Sequence, residues 1–360
     1  MPAEAVLIPG DGTGPELTAA ACRVLDAAGA ELRWSTVEVG QSALDATGDP
    51  LPESALDQML AAGRVLKGPL TGRLPGGLPS VNVTLRRRLG LFAQLRWCRG
   101  FPGPPVPAPG LDVVVVRETT EDLYAGLELP AGGDETVQLL SQMADRIDPP
   151  ISSDAAVALR PISFAASRRA AEVAFEHARL SGRTRVTAVH KQAALPVTDG
   201  LFLRAVQEVA AGHADIELEQ VAVDHAAMLM VQQPHRFQIM LSPNQYGDIL
   251  GDLGAGLIGG LGVVAGLNVG DGIRMFEAAH GTAPRRAGRD EANPVAMILC
   301  GAHLARDAGQ GAAADRIEAA VAAAIADGQV TYDLRPDRST SAALGTAAAA
   351  QAVIDRLARG

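Results

Sequence analysis

The sequence predicts an α/β protein with a mostly parallel sheet, and three observations lead to this prediction. Short apolar runs alternate with helical segments along most of the chain, which is typical of β-α-β units. The run LDVVVVRE (111–118) is apolar and β-branched almost throughout, as expected of a strand buried on both faces. With 360 residues, 48% of them hydrophobic and 20% charged, the chain has the composition of a globular protein with a substantial core.

The first part of the chain shows strand, turn and helix signals in close succession. VLIPG (6–10) indicates a buried strand, and a glycine turn then leads to Pro15 in the first turn of a helix. RVLKGPL (64–70) indicates another strand, whereas the arginines of SVNVTLRRRLGL (80–91) favour a helix. FPGPPVPAPG (101–110) has five prolines and therefore indicates an irregular connector.

The rest of the chain continues the alternation after one interruption. Residues 129–163 lack a strong periodicity and are expected to form an inserted arm. Two strands, RVTAVHK and RFQIMLSPN, then alternate with two helices, SRRAAEVAFEHARLSG and GLFLRAVQEVAAG. Alanine-rich helix dominates the C-terminal third, for example at 311–328.

Composition argues against several classes of partner. Asp and Glu outnumber Lys and Arg by 41 to 31, and the net charge of -10 argues against a nucleic-acid partner. The cysteines, Cys22, Cys98 and Cys300, are far apart and indicate free thiols in a reducing compartment. Residues 253–270 carry no charge but include seven glycines, which indicates tight packing in a core rather than a membrane span. A soluble, cytoplasmic protein without a signal peptide is therefore expected.

The motif IPGDGTGPE (8–16) suggests a nucleotide loop, but it does not match the dinucleotide fingerprint. Its glycines are spaced G-x-G-x-G rather than G-x-G-x-x-G, and no acidic residue ends a second strand about 20 residues later. A Rossmann fold is therefore not predicted. On this motif alone, a structural turn and a nucleotide loop remain equal alternatives.

Two aspartates stand in the almost wholly apolar stretch LSPNQYGDILGDLGAG (241–256). If this stretch is helical, Asp248 and Asp252 share one face with Cβ atoms ~6 Å apart, and both carboxylates can meet one hard cation. The alternative is a pair of first-turn aspartates stabilised by the helix dipole. A third acid, Asp224, ends a strand-like run in VAVDHAAM, where α/β proteins collect functional groups.

Several basic and phenolic residues could complement these acids. Arg86, Arg96 and Arg117 each lie at or beside the end of an apolar element, and a polycarboxylate substrate would need several such guanidinium groups. Lys191 ends another apolar run, where it either extends its ammonium to solvent or acts as an acid or base. Tyr124 is one of only three tyrosines and follows RETTEDL.

Seven segments, in this order, resemble those of the β-decarboxylating dehydrogenases, which act on isocitrate, isopropylmalate, homoisocitrate or tartrate. The segments are IPGDGTGPE, LKGPLTG, SVNVTLRRRLGL, RETTEDLYAGLE, VTAVHK, LSPNQYGDILGDLGAGLIGG, and FEAAHGTAPRRAG followed by ANP. The resemblance covers nearly the whole chain. It implies the two-domain α/β fold of isocitrate and isopropylmalate dehydrogenases, which is not a Rossmann fold, with a clasp arm that builds a homodimer.

The resemblance also implies how the chain is divided. Residues 1–91 and 259–360 would together form the large domain on the cofactor side. Residues 92–258 would form the small domain that carries the substrate, the metal and the dimer contacts, with the clasp arm near 125–163.

The same resemblance assigns the metal and proton-transfer roles. Asp248 and Asp252 would hold Mg²⁺ or Mn²⁺, with Asp224 contributed by the second subunit. Tyr124 and Lys191 would form the proton-transfer pair, and Lys191 would also cross the dimer interface. Since these side chains are all present, an enzyme is expected rather than a non-catalytic regulatory subunit.

The binding residues implied by the resemblance form two sets. Those expected at the substrate carboxylates are Lys67, Ser80, Asn82, Arg86, Arg96 and Arg117. Those expected at the cofactor are Thr71, His280, Gly281, Thr282, Ala283, Arg285, Arg286, Asn293, Tyr332 and Arg335.

The implied reaction is the oxidative decarboxylation of a 2-hydroxy-3-carboxy acid. Lys191, through a relay, would take the hydroxyl proton as hydride leaves carbon 2 for nicotinamide, and Tyr124 would protonate carbon 3 after carbon dioxide is lost. A bound divalent cation would lower the pKa of the hydroxyl and stabilise the enolate.

Isocitrate is the expected substrate because Ser80 and Asn82 are polar, whereas the isopropylmalate branch is apolar at this place. The chain departs from the family pattern at four positions: Pro79, Trp97, Thr119 and Ala193. These departures leave an alternative open. The same chemistry could act on an isocitrate analogue of the homoisocitrate, isopropylmalate or tartrate type, or on a phosphonate-bearing malate.

The expected cofactor is NADP, with NAD as the alternative. Arg285 and Arg286 stand where NAD-using members place an acid, and a cation there would pair with a 2′-phosphate. Tyr332 and Arg335 resemble residues of NADP-specific bacterial members, although Arg335 comes one residue early.

Overall fold

The computed structural model describes residues 2–72, 80–146, 148 and 150–358, so Pro79 lies outside the described residues. Its strands are β1 (Ala3–Ile8), β2 (Leu32–Thr36), β3 (Arg64–Lys67), β4 (Ala93–Arg99), β5 (Asp112–Glu118), β6 (Glu128–Leu129), β7 (Val157–Ala158), β8 (Arg185–His190), β9 (Glu217–Ala222), β10 (Ile239–Ser242), β11 (Ala265–Gly270) and β12 (Ile273–Ala278). Its α-helices are α1 (Gly14–Ala27), α2 (Gln41–Thr47), α3 (Glu53–Ala62), α4 (Val81–Arg88), α5 (Asp134–Met143), α6 (Phe164–Ser181), α7 (Thr198–Ala210), α8 (Val223–Gln232), α9 (Asn244–Leu257), α10 (Val295–Asp307), α11 (Gly311–Ala326) and α12 (Thr346–Leu357).

Ten of these strands form one continuous sheet in the order β2-β1-β3-β12-β11-β4-β5-β10-β8-β9. Neighbouring strands are parallel except at the centre, where β11 runs antiparallel to β12 and β4, and β4 runs antiparallel to β5. The predicted mixed α/β class with a mostly parallel sheet is therefore confirmed. The predicted strand at 111–118 is β5, and its Val113–Val116 are completely or almost completely buried.

Strand order separates the chain by sequence position. The strands from 1–91 and 259–360 lie together on one side of the β11–β4 pairing, and those from 92–258 lie on the other. Helices α1, α10, α11 and α12 pack together on the first half, while α6 packs against α7 on the second. The division into two domains stays a prediction, because the sheet joins both halves without a break.

The parallel strands bring their carboxyl ends to one edge of the sheet. There β5 ends with Arg117 and Glu118, β10 leads into α9, and β8 is followed directly by Lys191. Chain reversals at this edge collect side chains from distant parts of the sequence, as is usual for α/β proteins.

The predicted arm is more regular than its sequence suggests. It contains the two-stranded β6–β7 ladder and the ten-residue helix α5. Only Thr136 of α5 is buried, so this helix has almost no apolar anchor within the chain. Its apolar residues Val137, Leu140 and Met143 do recur at helical spacing, but the pattern covers only ten residues within an otherwise irregular stretch, and sequence patterning did not identify it.

The charge-free segment at 253–270 is not one helix. It comprises the end of α9, a connecting loop and β11. Across the part of the chain that the structure describes, no helix has the length and apolar character needed to cross a membrane.

Trp97 faces away from the carboxyl-edge residues. Its ring stacks on His303 with 3.9 Å between centroids and meets His177 edge-on at 5.7 Å. These rings line a cavity of about 770 Å³ between α6 and α10. Successive strand residues point to opposite faces, so the side chains of Arg96 and Trp97 lie on opposite faces of the sheet.

Because of the two histidines at this cavity, the folded protein is expected to lose stability as the pH falls. Burial lowers the pKa of His177 to about 4 and that of His303 to about 3. The unfolded chain therefore binds these protons at a higher pH than the folded chain does. The free energy of unfolding should fall by about 2 kcal/mol per histidine between pH 7.5 and pH 5.

Urea unfolding at both pH values measures this loss. Replacing His303 by phenylalanine should keep the stacked ring and shrink the loss, whereas glutamine at the exposed His235 should leave it unchanged. An equal pH dependence in the wild type and the His303→Phe variant would contradict the prediction.

Candidate active site

Asp248 and Asp252 lie one turn apart inside α9, and their partners come from other elements. Arg96 of β4 donates to Asp252 Oδ1 at 2.5 Å and to Asp248 Oδ1 at 3.2 Å. Arg117 at the end of β5 also donates to Asp248. The Tyr124 hydroxyl donates to Asp248 Oδ2 at 3.1 Å. Since the helix begins at Asn244, these are not first-turn aspartates, and that alternative is wrong.

Glycines on α9 allow this close approach. A Cβ added at Gly247 would lie 2.3 Å from the Cβ of Arg117, and one at Gly251 would lie 3.0 Å from the side chain of Arg96. The glycines therefore let β4 and β5 pack directly on the helix. In the two Gly-Asp pairs, each glycine leaves room for an arginine side chain next to the carboxylate that follows it in the sequence.

The arginines determine the charge states of this cluster. Burial alone would raise the pKa of Asp248, but Arg117, Arg96 and the Tyr124 hydrogen bond lower it below the usual carboxyl range. Burial and the Asp248 charge raise the pKa of Tyr124, so the phenol keeps its proton at neutral pH. A protonated tyrosine next to an ionised aspartate can serve as a general acid.

A second group of charges lies beside the first, around a residue that sequence reasoning missed. Glu277 at the end of β12 accepts from Lys67 at 2.6 Å and from Arg86 at 2.9 Å. Burial would raise the pKa of Glu277, but Lys67 and Arg86 lower it strongly. Gln94 and Asn268 donate to the same carboxylate. The available signal was an acid near the end of an apolar strand run, in RMFEA.

The other residues predicted for the substrate lie near Arg86. Asn82 lies one turn before Arg86 on α4 and donates to the backbone oxygen of Leu70 at 3.3 Å. Ser80 is the N-cap of the same helix. Lys67 is buried and its ammonium is hydrogen-bonded to Glu277. It is therefore connected to Arg86 through the carboxylate that both cations share.

Lys191 and Asp224 form a separate pair. The Lys191 ammonium donates to Asp224 Oδ1 at 2.6 Å, and this hydrogen bond lowers the pKa of Asp224. Asp224 is in the first turn of α8, directly after β9, rather than at the end of a strand. In the described residues, neither side chain is hydrogen-bonded to Asp248 or Asp252, and no three His, Cys, Asp or Glu side chains are grouped to hold a metal ion.

The residues predicted for the cofactor surround the loop 280–286. Its Thr282 carbonyl accepts from the backbone of Thr13 at 3.0 Å, which places the glycine turn of IPGDGTGPE against this loop. Asp11 of that turn accepts from the backbone of Thr71 at 2.7 Å. Ala283 has φ 39°, a left-handed conformation that indicates a tightly constrained turn.

The arginines of this region differ in how they are engaged. Arg286 pairs with Glu291 at 2.6 Å and lies over the ring of Tyr332, 3.8 Å from its centroid. Arg335 pairs with Asp337 at 3.2 Å. Arg285 is exposed and has no ion pair among the described residues. Asn293 bonds to Asp333 at 3.0 Å and completes this side of the site.

Comparison with known proteins identifies the family. The family model described as isocitrate/isopropylmalate dehydrogenase matches residues 4–353. The chain belongs to this family. It is therefore an oxidoreductase of the β-decarboxylating type, and the predicted family, fold class and enzymatic nature are confirmed. Family members use NAD or NADP with Mg²⁺ or Mn²⁺ and act on small polycarboxylates.

Individual relatives agree with this assignment. The chain is 40% identical over 334 residues to the mitochondrial isocitrate dehydrogenase (NAD) subunit alpha of Homo sapiens, covering 91% of this chain and 85% of the relative. It is 37% identical over 342 residues to the mitochondrial isocitrate dehydrogenase (NAD) catalytic subunit 6 of Arabidopsis thaliana, covering 94% and 86%. The crystal structure of isocitrate dehydrogenase from Methylococcus capsulatus superimposes with a TM-score of 0.86 at 41% identity, covering 99% of both chains.

The donor set of α9 fits the divalent cation of the family. Carboxylate oxygens are hard ligands that Mg²⁺ and Mn²⁺ prefer, and Asp252 is 61% exposed and available to an ion from solvent. Asp248 and Asp252 would hold this ion. The third predicted acid, Asp224, lies apart from them within one chain.

Proposed function

We propose that this protein converts isocitrate to 2-oxoglutarate and carbon dioxide with reduction of NADP. The observation that carries the proposal is the Tyr124–Asp248 contact between two arginines, because it puts a proton donor and a carboxylate ligand beside cations for the substrate. The polar Ser80 and Asn82 beside Arg86 support a substrate with a third carboxylate.

Each residue then has a task that its environment supports. Arg96 and Arg117 bind and orient the substrate carboxylates, since guanidinium groups match carboxylates in geometry and charge. Tyr124, held as a neutral phenol, delivers a proton to carbon 3. In the proposed homodimer, Lys191 of the partner subunit takes up the hydroxyl proton once its ammonium has passed a proton to solvent. A divalent cation held by Asp248 and Asp252 would polarise the hydroxyl and carbonyl oxygens of the substrate.

A coupled set of assays tests this function. Reduced nicotinamide is measured by absorbance with Mg²⁺, with NAD or NADP, and with isocitrate, homoisocitrate, isopropylmalate or tartrate. Fastest turnover with isocitrate and NADP is expected. Turnover of another of these acids, with none on isocitrate, would replace this proposal by the alternative of the same chemistry on an isocitrate analogue.

The preference for NADP rests on Arg285, which is exposed and carries a charge that no described acid neutralises. The named human and Arabidopsis relatives are NAD enzymes, so a preference for NADP would set the protein apart from them. Replacing Arg285 by aspartate should shift the kcat/KM ratio toward NAD by at least about 10-fold, because a charge-assisted bond to phosphate is lost and a repulsion is gained.

A matched variant controls for the change in net charge. Arg289 is exposed near Arg285, and its replacement by aspartate should leave the ratio of NADP to NAD unchanged. Equal shifts in the two variants would mean that overall charge, rather than a specific phosphate contact, determines the preference.

A further inference from the structure

Arg160 joins two buried carboxylates near the carboxyl edge of the sheet. Its Nε donates to Asp122 Oδ1 at 2.6 Å, and its Nη1 donates to Asp199 Oδ1 at 2.6 Å. Both aspartate side chains are completely buried, and Arg160 is 13% exposed. The guanidinium also lies over the ring of Tyr246, 5.1 Å from its centroid.

The Asp122 end of this bridge supports the turn that carries Tyr124. Asp122 begins a short 3-10 turn at Asp122–Ala125 and has φ 71°, a left-handed conformation that costs free energy for a residue with a side chain. Its Oδ2 accepts from the backbone of Gln245 at 2.9 Å, in the first turn of α9. The turn with Tyr124 and the helix with Asp248 are therefore attached to the same carboxylate.

The Asp199 end supports the loop that carries Lys191. Asp199 Oδ2 accepts from the backbone N–H of Lys191 at 2.5 Å. The main chain of Lys191 is thus held directly, while its ammonium is left to bind Asp224. Asp199, which lies in the first turn of α7, takes no other part in the group of side chains proposed for the reaction.

Electrostatics makes the guanidinium essential to this arrangement. Two fully buried carboxylates repel each other and carry a large desolvation cost unless a cation lies between them. Arginine presents a rigid fork that bonds two carboxylates at once, whereas the single ammonium of lysine lacks that planar geometry. Arg160 follows β7, so the bridge also ties the end of the predicted clasp arm to both segments.

We propose that Arg160 is a positioning residue that keeps Tyr124 and Lys191 in place for proton transfer. This inference rests on the roles given to those two residues in the proposed function. In the proposed homodimer, Lys191 serves the partner's site, so one bridge in each chain orders groups of both active sites.

Two variants of Arg160 test the inference, and a variant of another ion-paired arginine is the control. Arg160→Gln removes the bridge, and Arg160→Lys keeps the charge but loses the fork. Arg183→Gln is the control, because Arg183 is 18% exposed, pairs with Asp112 at 2.5 Å and lies at the opposite edge of the sheet. With the substrate that the wild type turns over best, Arg160→Gln should lose about 100-fold in kcat with little change in KM, as expected for misplaced catalytic groups.

The lysine variant should fall between the wild type and the glutamine variant. Arg183→Gln should keep the wild-type kcat even if its melting temperature falls as far as that of Arg160→Gln. Equal losses of kcat in the glutamine variants at 160 and 183, or a wild-type kcat in Arg160→Gln, would overturn the inference.

Hydrogen–deuterium exchange provides a readout that does not depend on any activity. In Arg160→Gln, and in milder form in Arg160→Lys, the segments 119–126 and 189–195 should lose protection together, whereas Arg183→Gln should leave both protected. If both segments lose protection in Arg160→Gln but the wild type turns over none of the tested acids, the structural role of Arg160 is supported and the proposed function is rejected. Unchanged exchange in both segments would reject the bridge.

Discussion

Replacing Asp248 by asparagine is expected to reduce kcat/KM by about 1000-fold or more, because the variant loses the proposed metal ligand, which would contribute several kcal/mol to stabilisation of the transition state. The same carboxylate accepts from Arg96, Arg117 and Tyr124, so the substitution also removes the group that holds the proton donor. Asp248 is thus the residue at which the proposed metal site, two arginines and the Tyr124 hydroxyl meet.

The Asp248→Asn variant should also be less stable. Arg117 is 6% exposed, and Asp248 is its only ion-pair partner among the described residues. Leaving a buried cation without its anion typically costs about 3–5 kcal/mol. The measurements are turnover, Mn²⁺ binding by calorimetry and the urea midpoint.

Asp112→Asn is the matched control for stability. Asp112 also pairs with a largely buried arginine, Arg183, but at the other end of the sheet. This variant should lose stability while it retains turnover and Mn²⁺ binding. Wild-type turnover in Asp248→Asn would disprove the metal and substrate assignment, whereas lost turnover with unchanged Mn²⁺ binding would restrict the role of Asp248 to the arginines and Tyr124.

Mixing two inactive variants is expected to restore activity if the active sites are shared between subunits. Within one chain, Lys191 and Asp224 bind each other and form no ion pair or hydrogen bond with Asp248 or Asp252. Lys191→Gln and Asp248→Asn should each be nearly inactive alone. A dimer with one subunit of each kind would contain one site with both side chains intact.

Random exchange of subunits gives about half mixed dimers, so about a quarter of wild-type activity should return. Unfolding and refolding the mixture, followed by the absorbance assay, measures this recovery. The control is a refolded mixture of Asp248→Asn with Asp252→Asn, in which each of the two sites of a mixed dimer still carries one lesion and no activity should return. Absence of recovery in the first mixture, with dimers present, would show that each chain builds its own site.

Much of the fold follows from local patterns in the sequence. The apolar run of β5, the alternation of strands and helices from α6 to α9, and the alanine-rich α11 are each encoded by neighbouring residues. The same is true of the two aspartates on one face of α9, because helical spacing alone puts them there. The sequence also indicated Arg117 and Lys191 as site residues, because both come at the end of an apolar, strand-like run.

Sequence patterns did not predict which groups neutralise one another. Asp248 is 131 positions from Arg117, and Glu277 is 210 positions from Lys67. Helix α5 of the arm was likewise missed, because its helical pattern covers only ten residues and it buries almost no side chain within the chain.

By itself, then, the sequence determined many of the strands and helices, the family, the two aspartates of α9 and the arginines of the site, since local patterns and residue chemistry specify these. Only the tertiary structure decided that Glu277 bonds both Lys67 and Arg86, and that Arg160 bridges Asp122 and Asp199. The physical reason is that the energy of a buried ion pair depends on the distance between its charges and on the local dielectric. Neither quantity produces a repeating pattern in the sequence.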